Sequence, residues 1–197
     1  MPRKTKPEVP RAACGDSDPA TRGDSDPAHA LPDGPDAGDR LTLRLADESA
    51  TAALAAAMAQ TLQPGITIHL SGELGTGKTA FTRALLRALG HSGRARSPTF
   101  TLLEPYNLSK FDLYHFDFYR LTSEQAWLDA GFDEYLDGRG VVVIEWPEMA
   151  GDTLPDPDLR LRIDFEPTAG VDARRIDIRA HGERGRACLS ALRAAGS

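Results

Sequence analysis

The chain has 197 residues, 41% hydrophobic and 26% charged, with a formal net charge of −6. That length suits one well-packed domain, and the acidic balance argues against a free-standing nucleic-acid binder. Its longest aliphatic run, Val141 to Ile144, is too short to cross a bilayer, and the widely separated Cys14 and Cys188 exclude a disulfide framework or metal-ligand spacing.

Residues 1–40 hold seven Pro, four Gly and many Asp, including the near-repeat Gly15-Asp16-Ser17-Asp18-Pro19-Ala20 and Gly23-Asp24-Ser25-Asp26-Pro27-Ala28. Such a segment cannot bury enough apolar surface to offset the entropy of ordering, so it reads as a disordered tail before a domain over 41–197. The basic opening Pro2 to Lys6 resembles the start of a targeting peptide, but no apolar core follows, and a reducing cytoplasm is expected.

Leu41-Thr42-Leu43-Arg44-Leu45 alternates as a strand does. Asp47-Glu48-Ser49 then starts a helix, with Leu54, Met58 and Leu62 recurring every four residues until Gln63-Pro64-Gly65 breaks it. Ile66 to Ser71 runs as a strand into Gly72-Glu73-Leu74-Gly75-Thr76-Gly77-Lys78-Thr79, which fills the G-x-x-x-x-G-K-[ST] pattern. Its glycines let backbone N–H groups turn inward around phosphate oxygens, Lys78 reaches the outer phosphates, and the Thr79 hydroxyl sits on Mg²⁺. A helix from Lys78 to Leu89 follows, with Phe81, Leu85, Ala88 and Leu89 on one face and a stop at Gly90. Outside the tail there are fifteen Arg and only two Lys, so a lysine at this place goes against the habit of the chain.

Arg94 to Tyr106 reads as a loop entering a strand, with Pro98 forcing Ser97 into extended geometry. In Phe111 to Leu121, Tyr114, Phe116 and Phe118 share one strand face, while His115, Asp117 and Tyr119 share the other. Thr122 to Gln125 offers a capping box for a short helix carrying Trp127. Val141 to Ile144 is a fully buried strand that delivers Glu145, the Walker-B arrangement in which an acid stands beside the phosphate loop to hold Mg²⁺. Trp146 reads as core packing and His115 as a structural histidine. Arg120 reads either as a stabiliser of transition-state charge or as one half of a surface ion pair.

Beyond Pro147, Leu159 to Glu166 and Arg175 to Arg179 alternate as half-exposed, antiparallel strands, and Arg186 to Ala194 is a short amphipathic helix or a frayed end. Arg174, Arg175, Arg179, Arg184 and Arg186 together form either a basic patch or, given the interleaved acids, an ordinary solvated face. The fold these elements imply is α/β: a P-loop NTPase-like three-layer domain, a mostly parallel, mixed sheet with helices on both faces and antiparallel strands at the C-terminus.

Four segments, Gly72 to Thr79, Ser97 to Leu102, His115 to Leu121 and Ile144 to Pro147, resemble in order and spacing the TsaE family, formerly YjeE. The resemblance covers roughly Leu41 to Ile178 and departs slightly at Ala80 and Phe100. It implies a weak P-loop ATPase that binds ATP and Mg²⁺ and acts with TsaB-like and TsaD-like proteins in threonylcarbamoylation of the adenosine next to the tRNA anticodon. By the same resemblance tRNA is met through the complex and no membrane is involved. Residues 72–79 would bind ATP, Thr79 and Glu145 the metal, Asp117 would be needed for turnover, and Ser97-Pro98-Thr99 would act as a switch sensing the γ-phosphate. The residues themselves leave open which of Asp117 and Glu145 orients the attacking water; Asp117 is favoured. A small-molecule kinase and a nucleotide-gated scaffold that does not need hydrolysis are the alternatives.

Overall fold

The computed structural model describes residues 38–195. The reading of residues 1–40 as a tail therefore falls, save its last three positions, outside the described residues. Seven strands, β1 (Arg40–Leu45), β2 (Thr67–Ser71), β3 (Leu103–Asn107), β4 (Asp112–Asp117), β5 (Val141–Glu145), β6 (Leu159–Phe165) and β7 (Arg174–Ala180), form one sheet in the order β1-β7-β6-β2-β5-β4-β3. The central run β6-β2-β5-β4 is parallel, and antiparallel neighbours flank it on both sides.

One face of the sheet carries α1 (Glu48–Ala59), α2 (Lys78–Ala88) and α4 (Gly182–Ala195). Asp47 caps α1 by accepting the Ala50 N–H, as its position before the apolar period requires. The inward residues Leu54, Met58, Phe81, Leu85, Leu189 and Leu192 pack on Ile68, Leu70, Val141, Val143, Leu161 and Ile178 as one buried core. A second, smaller core fills the opposite face only over β3, β4 and β5, where Phe116, Val142 and Ile144 meet Trp127 of α3 (Ala126–Asp129), Phe132 and Ala150. The all-apolar β5 is thus buried on both faces, as a central parallel strand must be.

Two local expectations need correction. β6 pairs antiparallel with β7 but lies parallel to β2 on its other edge, Ile68 facing Leu159 and Leu70 facing Leu161, so it belongs to the parallel core. Its polar alternation reflects a sheet face that no helix among the described residues covers beyond β2, with Arg162 exposed and Arg160 half-buried there. The capping box at Thr122 to Gln125 does not form either: α3 starts at Ala126 with no side-chain cap. Thr153 sits between this turn and the next segment, its hydroxyl accepting from Trp127 Nε1 (2.8 Å) and lying within donor reach of the Ala150 (2.6 Å) and Glu124 (2.9 Å) carbonyls.

Candidate active site

β2 hands the chain to the phosphate loop at the C-terminal edge of the sheet, where the parallel strands of open α/β folds present their ligand sites. Gly72 has φ 131° and lies so close to β6 that a β-carbon on it would stand 2.1 Å from the Ile163 carbonyl oxygen. Only glycine permits that approach. Gly77, at φ 107°, turns the chain into α2, and the Thr76 hydroxyl donates to the Glu73 carbonyl (2.9 Å), closing the loop on itself. Leu74 projects outward, 68% exposed.

Lys78 is buried, with its ammonium donating to the carbonyls of Gly72 (2.6 Å) and Glu73 (2.8 Å) and lying 3.7 Å from the centre of the Trp146 ring. Burial lowers its pKa from the ordinary lysine value, opposed by the charges of Glu145, Glu148 and Asp117. Trp146 reaches this place through a left-handed backbone (φ 58°), uncommon outside glycine, that follows directly on Glu145. The residue read as core packing therefore sits on the phosphate-loop lysine.

Leu70 and Asp117 are the register partners of Glu145 on the two strands beside it, so the loop entry and both carboxylates stand side by side on β2, β5 and β4. Both carboxylates are buried. Glu145 accepts from Thr79 Oγ1 (2.8 Å) and Thr82 Oγ1 (3.4 Å), and its Oε1 lies 2.8 Å from His115 Nε2. His115 Nδ1 is buried without a partner among the described residues, so Nε2 is the ring nitrogen that meets the carboxylate. Asp117 Oδ2 accepts from Ser97 Oγ (2.9 Å) and Thr99 Oγ1 (2.8 Å), and Oδ1 from the Tyr119 N–H (3.1 Å).

The structure brings Lys78, Thr79, Glu145, Asp117, Ser97 and Thr99 to one end of the sheet, while Arg120 and Phe100 meet each other at the surface. His115 is the structural histidine expected, here holding Glu145, and sequence reasoning missed the places of Thr82 beside Glu145, of Trp146 over Lys78 and of Arg174. Two signals were present, since Thr82 follows Thr79 by one helical turn and His115 shares the Asp117 strand face. Arg174 had none; it reaches from β7 to donate to the Thr76 carbonyl (3.0 Å) while stacking on Phe165 (4.6 Å). The other C-terminal arginines form the solvated face: Arg175 pairs with Asp164, Arg179 with Asp177, Arg184 with Asp158 and Arg186 with Asp39. Arg120 stacks on the exposed Phe100 at 4.8 Å.

The donor set at the loop, a threonine hydroxyl bonded to one carboxylate, fits Mg²⁺ held jointly with phosphate oxygens. Among the described residues no group of three or more His, Cys, Asp and Glu forms a self-sufficient metal cage, and no helix is long and apolar enough to cross a membrane.

A family model described as threonylcarbamoyl adenosine biosynthesis protein TsaE matches residues 45–176. Proteins named tRNA threonylcarbamoyladenosine biosynthesis protein TsaE are similar to the chain. The one from Haemophilus influenzae is 37% identical over 130 residues, covering 66% of this chain and 80% of the relative. The Bacillus subtilis one is 38% identical over 145 residues, covering 74% and 89%. The crystal structure of Bacillus subtilis YdiB superimposes with a TM-score of 0.68 at 32% identity, covering 80% of this chain and 97% of that one. Motifs, fold and relatives agree, and the chain belongs to the TsaE family of threonylcarbamoyl adenosine biosynthesis proteins.

Proposed function

We propose that the chain is a Mg²⁺-dependent ATPase of the cytoplasm that drives a TsaB-like and TsaD-like assembly through the threonylcarbamoyl modification of tRNA, meeting tRNA only through that assembly. The observation that carries the reading is the 2.8 Å bond from the Thr79 hydroxyl to the Glu145 carboxylate, which ties the phosphate loop to the acid at the end of β5. Those two groups would hold Mg²⁺, which when bound neutralises charge on the outer phosphates. Lys78 exchanges its bonds to the Gly72 and Glu73 carbonyls for phosphate oxygens, so the ammonium already placed in the loop keeps its partners satisfied throughout. His115 and Thr82 fix the Glu145 carboxylate.

Asp117 is the water-orienting group in this reading. An ionised carboxylate offers about four acceptor sites, and Ser97, Thr99 and the Tyr119 N–H fill three. The remaining one serves a water, and release of Ser97 or Thr99 toward a γ-phosphate would free more. Ser97 and Thr99 thereby become a switch whose position reports the nucleotide state.

The test is the affinity of the chain for a purified TsaB-like and TsaD-like pair with ATP, with ADP and without nucleotide. Tighter association with ATP is expected, because if partner contacts need the segment around Ser97 and Thr99 ordered, ATP and partner must strengthen each other by the same factor. Equal affinity in all three states, together with phosphorylation of a small molecule by the chain alone, would establish the kinase alternative instead.

A further inference from the structure

Two groups of surface arginines contrast, with Arg120, which is exposed, joins no ion pair among the described residues and stacks on Phe100, belonging to neither. On the open face of the sheet they are neutralised in place: Arg40 and Arg179 share Asp177, and Arg162 and Arg175 share Asp164. Arg83 and Arg87 of α2, with Arg94 and Arg96 of the following loop, differ. All four are exposed, and among the described residues none of them joins an ion pair. Arg83, Arg87 and Arg94 line one shallow depression with Gly93 and Ala95, Arg83 Nε donates to the Ala95 carbonyl at 3.2 Å, and Arg96 follows directly along the chain. Glu48 of α1 borders the same helix face without pairing to either arginine.

The loop that carries two of these arginines is the switch segment. Its exposed positions include Arg94, Arg96 and Phe100, the last 70% exposed, while Ser97 and Thr99 between them turn inward to Asp117. A ligand gripping Arg94 and Arg96 therefore fixes the backbone that sets the two hydroxyls on the catalytic carboxylate.

We infer that Arg83, Arg87, Arg94 and Arg96 form the docking surface for a carboxylate-rich face of a partner protein, and that docking there orders the Ser97 to Thr99 segment. The inference rests on the reading of the chain as a partner-driven ATPase. Charge complementarity decides the class of partner. Four arginines on RNA would release few counterions, a log–log salt slope of about −3, and in a chain of net charge −6 and pI 5.4 such binding fades at physiological salt. Guanidinium forks matched to carboxylates beside an exposed aromatic are the composition from which protein interfaces draw their anchors.

The experiment uses the full chain, the purified TsaB-like and TsaD-like pair with ATP, and fluorescently labelled unmodified tRNA as a separate probe. The double variants Arg83→Glu/Arg87→Glu and Arg94→Glu/Arg96→Glu, and the corresponding Ala pairs in case a reversal disturbs folding, are titrated at low and at physiological salt. Each reversal is expected to weaken association with the pair by about tenfold or more and to flatten its salt dependence, while ATP affinity of the isolated variants stays at the wild-type value. Variants that bind the pair as wild type does overturn the docking surface. Loss of tRNA binding with pair binding intact overturns it in favour of RNA. A wild-type chain that does not bind the pair in any nucleotide state overturns the ATPase-subunit reading itself, and the surface with it.

Discussion

Replacing Gly72 by alanine tests whether the phosphate loop is shaped by its contact with β6. The new β-carbon would lie 2.1 Å from the Ile163 carbonyl oxygen, 3.1 Å from its carbon and 3.2 Å from Thr76 Oγ1, at a φ of 131°. No flexible side-chain end is available to yield at the closest contact, so the loop or the end of β6 must move. Overpacking of this kind costs about 1–3 kcal/mol and the backbone conformation about 1–2 kcal/mol more for a non-glycine residue. The sum, about 2–5 kcal/mol, is a large part of the stability of a domain this size and corresponds to a melting point lower by roughly 5–15 °C. The matched control is Gly90→Ala: its φ of 92° carries the conformational term, but nothing lies within 4 Å of the added carbon. Scanning calorimetry with and without Mg-ATP reads both effects. Gly72→Ala is expected to melt well below Gly90→Ala and to lose the stabilisation by Mg-ATP that Gly90→Ala keeps. Equal melting points for the two variants, with nucleotide stabilisation retained in both, would show that the approach to β6 does not shape the loop.

Lys78→Ala should weaken ATP binding measured by calorimetry and abolish hydrolysis while circular dichroism stays that of the wild type, because among the described residues no neighbouring lysine can replace the charge. Glu145→Ala should raise the Mg²⁺ concentration needed for nucleotide binding, whereas Asp117→Ala should bind Mg-ATP and fail to turn it over; identical metal titrations would refute this division. His69, buried on β2 with its Nε2 unpartnered, has its pKa lowered to about 3, by burial first and then by the charges of Arg160 and His181. The unfolded chain takes up that proton near the ordinary histidine value while the folded chain does not. Stability therefore falls as pH drops from about 6.5 toward 3, by at most about 1.4 kcal/mol per pH unit from this group. Urea unfolding of His69→Gln should show a shallower loss over that window, and an unchanged slope would count against the assignment.

The parts of the site that a reader of the sequence could find are those set by short-range geometry. The spacing of Gly72, Gly77, Lys78 and Thr79 is a property of one turn, and the strand-end position of Glu145 follows from an unbroken β-branched run. Alternation alone put Asp117 on the face away from Phe116. What stayed hidden depends on which strands become neighbours. That β6 lies parallel to β2 is a pairing across some ninety residues of chain, and only that pairing puts Ile163 against Gly72 and the end of β7, with Arg174, beside the loop. Trp146 packs against the second core as expected, but its contact with Lys78 stayed hidden for a local reason: a left-handed tryptophan is not what its residue type suggests, and the turn it makes carries the ring to Lys78. The capping pattern at Thr122 to Gln125 formed no side-chain cap, and α3 begins after it, at Ala126.

The place of β2 between β5 and β6 also orders events during synthesis. A chain growing from its N-terminus completes the sequence of the phosphate loop at Thr79, yet β2 has no strand to pair with until residues 141–145 exist, and its second edge stays open until residues 159–165 follow. The loop therefore lacks its neighbouring strands on a nascent chain that ends before residue 165, and the unpaired β2 is during that interval an edge open to wrong neighbours. Long-range pairing of this kind also makes for slow folding relative to local hairpins. A nucleotide bound as proposed would need the finished loop, and would then stabilise the product of folding rather than its earlier stages.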